Sequence, residues 1–289
     1  MVARAGGVSA VIESFVSSWS LFRDAYLSGC LIAALLGVIG VLIVARDHIF
    51  LGAAVSQASM LGLTVGLELG WSSAGWYEFD AFTSLLGSAF AIVGALITGS
   101  LRGLGGESRE AVTGWVFCVG LSLSVLLVAH SPHGLEEVHR LVSSTIVGAT
   151  LVDVELLTAL TLVTASILVV GWRTLVLVTM DPEAASAAGV RVVWWDRALY
   201  VWLGLAIALA MRVSGLVFTF GFLVLPALVA KGTVREMRSM LWLAPVVAVV
   251  VAMMSFFIAH GYDLPPAHVA VAGLCGAVAV AWSLRSLRR

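Results

Sequence analysis

The stretch "LLGVIGVLIVARDHIFLGAAVSQASMLGLTVG", residues 35–66, consists of two apolar runs separated by the charged turn Arg46–Asp47–His48. A helix needs about 20 mostly apolar residues to cross a bilayer. The two runs reach this length when they are followed outward to 24–45 and 51–70. The stretch therefore predicts two consecutive membrane-spanning helices.

The composition extends this prediction to the whole chain. Of the 289 residues, 61% are hydrophobic and 11% are charged, whereas a soluble domain has about 45–50% apolar and about 25% charged residues. We predict an all-α integral membrane protein with about nine transmembrane helices, forming a single transmembrane domain over 1–289. The sixth and seventh spans are short and meet at a hinge, Ser214–Gly215. The predicted spans are 24–45, 51–70, 81–101, 111–130, 152–172, 197–213, 215–231, 239–260 and 267–285.

The placement of lysine and arginine predicts the orientation of these spans, because basic residues concentrate in cytoplasmic loops. When the nine spans alternate, all but four of the 16 basic residues fall on one side, which places the N-terminus outside and the C-terminus inside. Counting the short apolar stretch 141–151 as a crossing would remove this bias. Residues 135–150 are therefore predicted to form a re-entrant or interfacial helix on the outer side. The four exceptions are Arg4, Arg23, Arg140 and Arg212.

The first 23 residues are predicted to form an outer interfacial helix rather than a signal peptide. One helical face of 8–22 is apolar, and Ser9, Glu13 and Ser17 lie off it. This pattern is typical of a helix that lies in the membrane surface. The apolar positions are Val8, Val11, Ile12, Phe15, Val16, Trp19 and Phe22.

Several kinds of chemistry have no motif in this chain. There is no GxxxxGK[ST] loop, so the chain does not bind ATP through a P-loop, and neither HExxH nor GxSxG occurs. The three cysteines, Cys30, Cys118 and Cys275, lie singly in apolar runs and form no metal-type pair. A net charge of −1 and the lack of a basic tail give no indication of nucleic acid binding. We therefore expect no catalytic residue and no cofactor in this chain.

The longest predicted cytoplasmic loop, "TMDPEAASAAGVRVVWWDRA" (179–198), contains the signals of a short helix. Asp181 is a candidate N-cap, Pro182 would occupy the first helical position, and Glu183 lies in the first turn. Gly189 would end the helix after about two turns. The sequence therefore predicts a short helix over 181–189 at the inner face.

Two interpretations of this short helix are open. It is either an ordinary connector or a coupling helix that docks on a partner protein. The coupling interpretation depends on small side chains that would let the helix lie close in a groove of the partner, namely Ala185, Ala187 and Ala188.

Four segments in order along the chain resemble the permease subunits of zinc and manganese ABC transporters. They are "LLGVIGVLIVARDHIFLGAAVSQASMLGLTVG" (35–66), "DPEAASAAGV" (181–190), "ALAMRVSGLVFTFGFLVLPALVAK" (208–231) and "DLPPAHVAVAG" (263–273). The resemblance implies a type II ABC importer-like permease in the bacterial cytoplasmic membrane. It also implies a homodimer, two cytoplasmic ATP-binding-cassette ATPase subunits and an extracytoplasmic metal-binding protein, with ATP hydrolysis in the ATPase partner.

The second predicted helix departs from that family at two positions. Members of the family carry an Asp and, four residues later, a His, which project from one helix face and suit Zn²⁺ or Mn²⁺. Here those positions are Ala53 and Gln57. Alanine offers no ligand and glutamine only a neutral carbonyl oxygen, so the transported ion or solute stays open.

Polar side chains remain on this helix. Gln57, Thr64 and Glu68 share one face, and Ser56 adjoins Gln57. They are candidates for a water-accessible transport path at the dimer axis. The alternative is hydrogen bonding between helices, which is common for Ser, Thr and Gln in membranes.

Histidines cluster on the predicted outer side in "HSPHGLEEVH" (130–139). His130, His133 and His139 are candidates for gathering a cation at the outer mouth. The alternative is that they are scattered interfacial histidines.

The main functional hypothesis is the membrane subunit of an ABC importer for a divalent metal of the zinc or manganese type. The first alternative is an ABC permease for a metal chelate or another small solute. The second is a stand-alone secondary transporter or channel, which would need coupling-ion carboxylates at mid-membrane. No Asp, Glu, Lys or Arg lies near the middle of any predicted span, which argues against it.

Overall fold

The computed structural model describes residues 8–70, 76–99, 107–129 and 146–287. Regular structure in these ranges is helical, with one 3₁₀ turn at Ile146–Gly148. The helices are α1 (Val8–Ala45), α2 (Ile49–Gly70), α3 (Trp76–Gly99), α4 (Arg109–Val128), α5 (Leu151–Met180), α6 (Pro182–Ala187), α7 (Val192–Thr233), α8 (Met237–Tyr262) and α9 (Pro266–Leu287). The predicted all-α membrane architecture is confirmed.

Every helix in the described ranges except α6 contains a segment long and apolar enough to cross a membrane, which gives eight candidates. Gly215 interrupts the 42-residue helix α7 with φ 72° and ψ −179°, at the predicted hinge. The eight candidates become nine spans when α7 is counted as two, so the predicted number is approximate. The orientation of the termini stays a prediction.

The chain forms two compact units, each assembled from segments that are far apart in sequence. Unit A comprises Met1–Val41, Ser143–Thr164 and Val213–Arg289, and unit B comprises Leu42–Val142 and Ala165–Arg212. Neither unit is one continuous stretch of chain, so no linker divides the sequence into successive domains. That 1–289 forms one domain stays a prediction.

In unit A, α1 lies directly against the second half of α7. A Cβ atom at Gly40 would collide with the carbonyl oxygen of Leu223, so only glycine permits this approach of two helix backbones. Two stacked rings fill the neighbouring turns of α7, Phe218 and Phe222, whose centroids are 4.0 Å apart. Both rings are fully buried. The apolar core of unit A is therefore built on close helix contact and aromatic packing.

The described part of the N-terminal segment is continuous with the first span. One helix runs from Val8 through residue 23 to Ala45, and the placement of 1–23 at the outer membrane surface stays a prediction. The Phe15 ring stacks on Tyr26 at 5.2 Å and contacts Phe257 of α8 edge-on at 5.6 Å. No glycine or proline lies between residues 8 and 28, so nothing breaks the helix, and these ring contacts hold it within unit A.

Helix α5 is longer than its predicted span, 152–172. It begins after Thr150, whose backbone N–H and hydroxyl donate to Asp153 Oδ2 at 2.9 and 2.8 Å. It then continues for 30 residues, or about 45 Å at 1.5 Å per residue, and ends only where Asp181 and Pro182 follow. The helix is therefore longer than the bilayer core, which is about 30 Å thick. Of the predicted outer helix 135–150, only 146–150 lies within the described residues.

Candidate functional site

The short loop helix α6 forms as the sequence predicts. The Asp181 side chain caps it by accepting a hydrogen bond from the Ala184 N–H at 2.9 Å, and Pro182 occupies the first turn. Gly189 follows with φ 82°, a left-handed conformation that favours glycine at a helix end. The helix is thus defined at both ends by its own sequence.

One alanine of α6 does not have the exposure that the docking interpretation needs. Ala185 is fully buried within this chain, whereas Glu183, Ala187 and Ala188 are exposed. Ala185 therefore anchors α6 to its own protein and cannot face a partner. Glu183 and Ala187, four residues apart on one helix face, lie opposite it and form the surface most open to a partner.

A buried ion pair fixes the segments on both sides of α6. Arg46 Nη1 lies 2.8 Å from Asp196 Oδ1, and each side chain is 10% exposed. A second nitrogen of Arg46, Nη2, lies 3.5 Å from the Thr179 hydroxyl. Thr179 precedes α6 and Asp196 follows it, so one guanidinium group connects the turn after α1 to both ends of the α6 loop.

Sequence inspection missed this cluster. Arg46 and Asp196 are 150 positions apart, and no local pattern pairs them. One signal was present: Asp196 is the only acidic residue in the aromatic and aliphatic run "VRVVWWDRALYVW" (190–202). A carboxylate in such surroundings needs a charged or hydrogen-bonding partner.

A second polar contact, between His48 and Arg109, lies at the same end of unit B as the Arg46–Asp196 pair. Arg109 donates from Nη1 to His48 Nε2 at 3.2 Å. Burial, followed by the positive charges of Arg109 and Arg46, lowers the pKa of His48. The imidazole is therefore neutral at pH 7, which lets Nε2 accept from Arg109. Asp47, with φ 57°, forms the tight turn that brings His48 next to Arg46.

The polar stripe of α2 lies inside unit B and is not an open surface. Ser56, Gln57 and Thr64 are buried, and only Glu68 is exposed. The hydroxyls of Ser56 and Thr64 donate to the α2 backbone, to Gly52 O and Leu61 O, each at 2.8 Å. These two hydroxyls are therefore satisfied within their own helix and do not link helices.

Gln57 is different, because its buried Oε1 has no hydrogen-bond partner in the described part of the protein. A buried polar atom of this kind requires an explanation, such as water or an ion. Its helix is tightly packed: a Cβ atom at Gly120 of α4 would lie 2.7 Å from the Gln57 carbonyl carbon. Of the predicted path residues, only Gln57 has a buried side-chain atom that makes no hydrogen bond in the described part of the protein.

No metal centre is formed by the residues that the structure describes, since nowhere do three or more His, Cys, Asp or Glu side chains come close enough to hold an ion. Ala53 and Gln57 are both buried in α2. His130, His133 and His139 lie outside the described residues, so their role at an outer mouth stays a prediction.

The family model described as "ABC 3 transport family" matches residues 18–284. The chain belongs to the ABC 3 transport family. The resemblance to ABC transporter permeases is thereby confirmed, and family membership favours an ABC permease over a stand-alone secondary transporter.

Individual relatives agree with the family assignment. The chain is 23% identical over 255 residues to the manganese transport system membrane protein MntC of Halalkalibacterium halodurans, covering 86% of this chain and 81% of the relative. It is 20% identical over 257 residues to the manganese import system permease protein ScaB of Streptococcus gordonii, covering 88% of each. A chain of PsaBC from Streptococcus pneumoniae, solved in complex with Fab, matches the fold with a TM-score of 0.80 and 17% identity over 96% of this chain and 100% of that chain.

Proposed function

We propose that this chain is the membrane-spanning subunit of an ATP-binding-cassette importer that carries a divalent metal ion of the zinc or manganese type. The observation that carries the proposal is the anchored α6 segment in a chain of this family: Ala185 and the Arg46–Asp196 pair hold the segment, while Glu183 and Ala187 stay exposed. The names of the manganese permeases among its relatives support the cargo class.

The proposed assembly is a permease homodimer with two cytoplasmic ATPase subunits and an extracytoplasmic metal-binding protein. It resides in the bacterial cytoplasmic membrane, with the N-terminus outside and the C-terminus inside. The permease contributes no catalytic group and no cofactor, and ATP hydrolysis takes place in the ATPase partner. Its own task is to convert closure of the ATPase subunits into alternating exposure of a transport path.

The geometry of unit B supports this coupling role. A force applied to the exposed face of α6 is transmitted through buried Ala185 and through the loop that Arg46 fixes to Asp196 and Thr179. A buried, hydrogen-bonded charge pair resists displacement because separating it would leave an uncompensated charge. Unit B therefore moves with α6 instead of letting the loop flex.

We expect Ala187→Arg to uncouple transport from ATP hydrolysis. The long cationic side chain would prevent close docking on the exposed face of α6, and loss of a central contact of this kind costs about 2 kcal/mol or more, which is more than tenfold in affinity. The measurement is ATP-dependent uptake of radioactive manganese by cells that express the whole importer, together with copurification of the ATPase.

Ala111→Arg is the matched control, because Ala111 is also exposed and lies on the same predicted side, in the first turn of α4. It adds the same charge away from α6. Normal uptake and normal copurification of the Ala187→Arg protein would contradict the coupling role.

A second candidate cargo, a metal chelate or another small solute, is favoured by one observation. The α2 positions at which a metal-binding pair is expected hold Ala53 and Gln57. The Gln57 oxygen is a weak, neutral ligand, which suits a path that must release its cargo.

If bare metal ions pass this position, Ala53→Asp with Gln57→His should trap zinc in the purified protein and lower manganese uptake.

The control for that variant is Val55→Asp with Ser59→His, which places the same two residue types four apart on another buried face of α2. Bound zinc, uptake and the zinc-dependent rise in melting temperature are compared between the two double variants. Equal zinc binding by both would mean that Gln57 has no special position on the path.

A further inference from the structure

A cavity of about 420 Å³ opens within unit A, between the C-terminal end of α7 and the last turns of α9. Three basic side chains line it: Lys231, Arg235 and Arg285. No acidic residue is among its lining residues in the described part of the chain. The described lining of the cavity therefore carries basic and no acidic side chains, and neither the candidate path residues nor those of α6 are part of it.

The backbone shapes this cavity. Gly232 comes so close to α9 that a Cβ atom there would lie 3.2 Å from the Ala281 Cβ, so the two helices touch at its base. The Thr233 hydroxyl donates to Val229 O at 2.7 Å and is committed to its own helix. Recognition of a ligand is therefore left to the cationic side chains at the rim.

Two apolar side chains near the end of α9 are exposed, one on each flank of the helix face that carries Ala281 and Arg285. Trp282 is 57% and Leu284 52% exposed, although both belong to a helix suited to crossing the membrane. Leu284 also lines the cavity next to Arg285. A tryptophan near the end of a membrane helix is typical of the headgroup level of the bilayer. The site thus presents positive charge and a lipid-facing apolar surface side by side.

We propose that this cavity binds the phosphate headgroup of an anionic phospholipid. The ligand must be an anion of phosphate type, because arginine matches its oxygens with paired N–H donors and lysine adds a point charge. The membrane is the source, since acyl chains would lie along the exposed face of α9 while the phosphate enters between α7 and α9. Basic pockets between membrane helices bind lipid headgroups by this combination of forces.

The test is native mass spectrometry of the full-length protein in detergent, titrated with phosphatidylglycerol or with zwitterionic phosphatidylcholine. The parent protein should retain phosphatidylglycerol preferentially. Lys231→Gln with Arg285→Gln should weaken that binding by about tenfold or more, because each charge near a lipid headgroup contributes about 1 kcal/mol, or about fivefold. The conservative variant Lys231→Arg with Arg285→Lys should keep the preference.

Arg173→Gln is the matched control, because it removes one exposed basic residue from unit B and should leave phosphatidylglycerol retention unchanged. A further arm adds inorganic phosphate at millimolar concentration. If phosphate displaces the lipid and retention does not depend on the lipid's acyl chains, the ligand is free phosphate and not a lipid from the membrane. Equal retention of both lipids by the parent protein would overturn the site itself, and so would a loss in Arg173→Gln equal to that in Lys231→Gln with Arg285→Gln. If Lys231→Gln with Arg285→Gln loses ATPase copurification but keeps its lipid binding, the cavity belongs to a protein interface and the proposal is likewise overturned.

Discussion

Asp196→Ala should leave little folded protein in detergent extracts. The substitution strands the Arg46 guanidinium, which is 10% exposed, without the carboxylate 2.8 Å away. Removing one partner of a buried ion pair costs about 3–5 kcal/mol, a large share of the 5–15 kcal/mol that is typical of a whole domain. The measurement is the fraction of monodisperse protein on size exclusion and its melting temperature.

Two further variants separate charge from packing. Arg46→Met with Asp196→Leu replaces the pair by apolar side chains and should recover most of the lost stability, because no charge is left buried. Asp24→Ala removes the partner of Arg23 from an exposed pair, with side chains 35% and 55% exposed, and exposed pairs contribute at most about 1 kcal/mol. If Asp196→Ala melts at the same temperature as Asp24→Ala, the pair does not hold the loop around α6.

Gly120→Ala should destabilise unit B and separate α2 from α4. The added Cβ atom would meet the Gln57 carbonyl carbon at 2.7 Å and the carbonyl oxygen at 2.8 Å. These are backbone atoms, so neither can rotate away and the helices must move apart. Overpacking of this kind costs about 1–3 kcal/mol, which a lower melting temperature and lower metal uptake would reveal.

Gly114→Ala is the control in the same helix. Nothing lies within 4 Å of a Cβ atom placed at Gly114, and Gly114 is exposed. Replacing glycine by alanine inside a helix usually stabilises it by about 0.5–1 kcal/mol, so the two variants should shift the melting temperature in opposite directions. Equal shifts would mean that α2 and α4 do not pack through Gly120.

The features that local chemistry controls were predictable from the sequence. The hinge at Gly215 and the cap at Asp181 both form as predicted, because a left-handed glycine and a side-chain cap act over a few neighbouring residues. The membrane spans were likewise predictable, because the bilayer demands an apolar run of fixed length. Their ends were less certain, since α5 continues to Met180 in the absence of a helix breaker.

The sequence by itself therefore determined an all-helical membrane permease with a capped loop helix, because hydropathy, capping and family motifs are readable along the chain. Tertiary structure decided which side chains are available to act. It buried Ala185 and, on α2, Ser56, Gln57 and Thr64, and it paired Arg46 with Asp196 across 150 positions. Such contacts depend on how helices far apart in sequence pack against one another. The buried face of a membrane helix is difficult to identify from its sequence, because lipid and protein interior are both apolar.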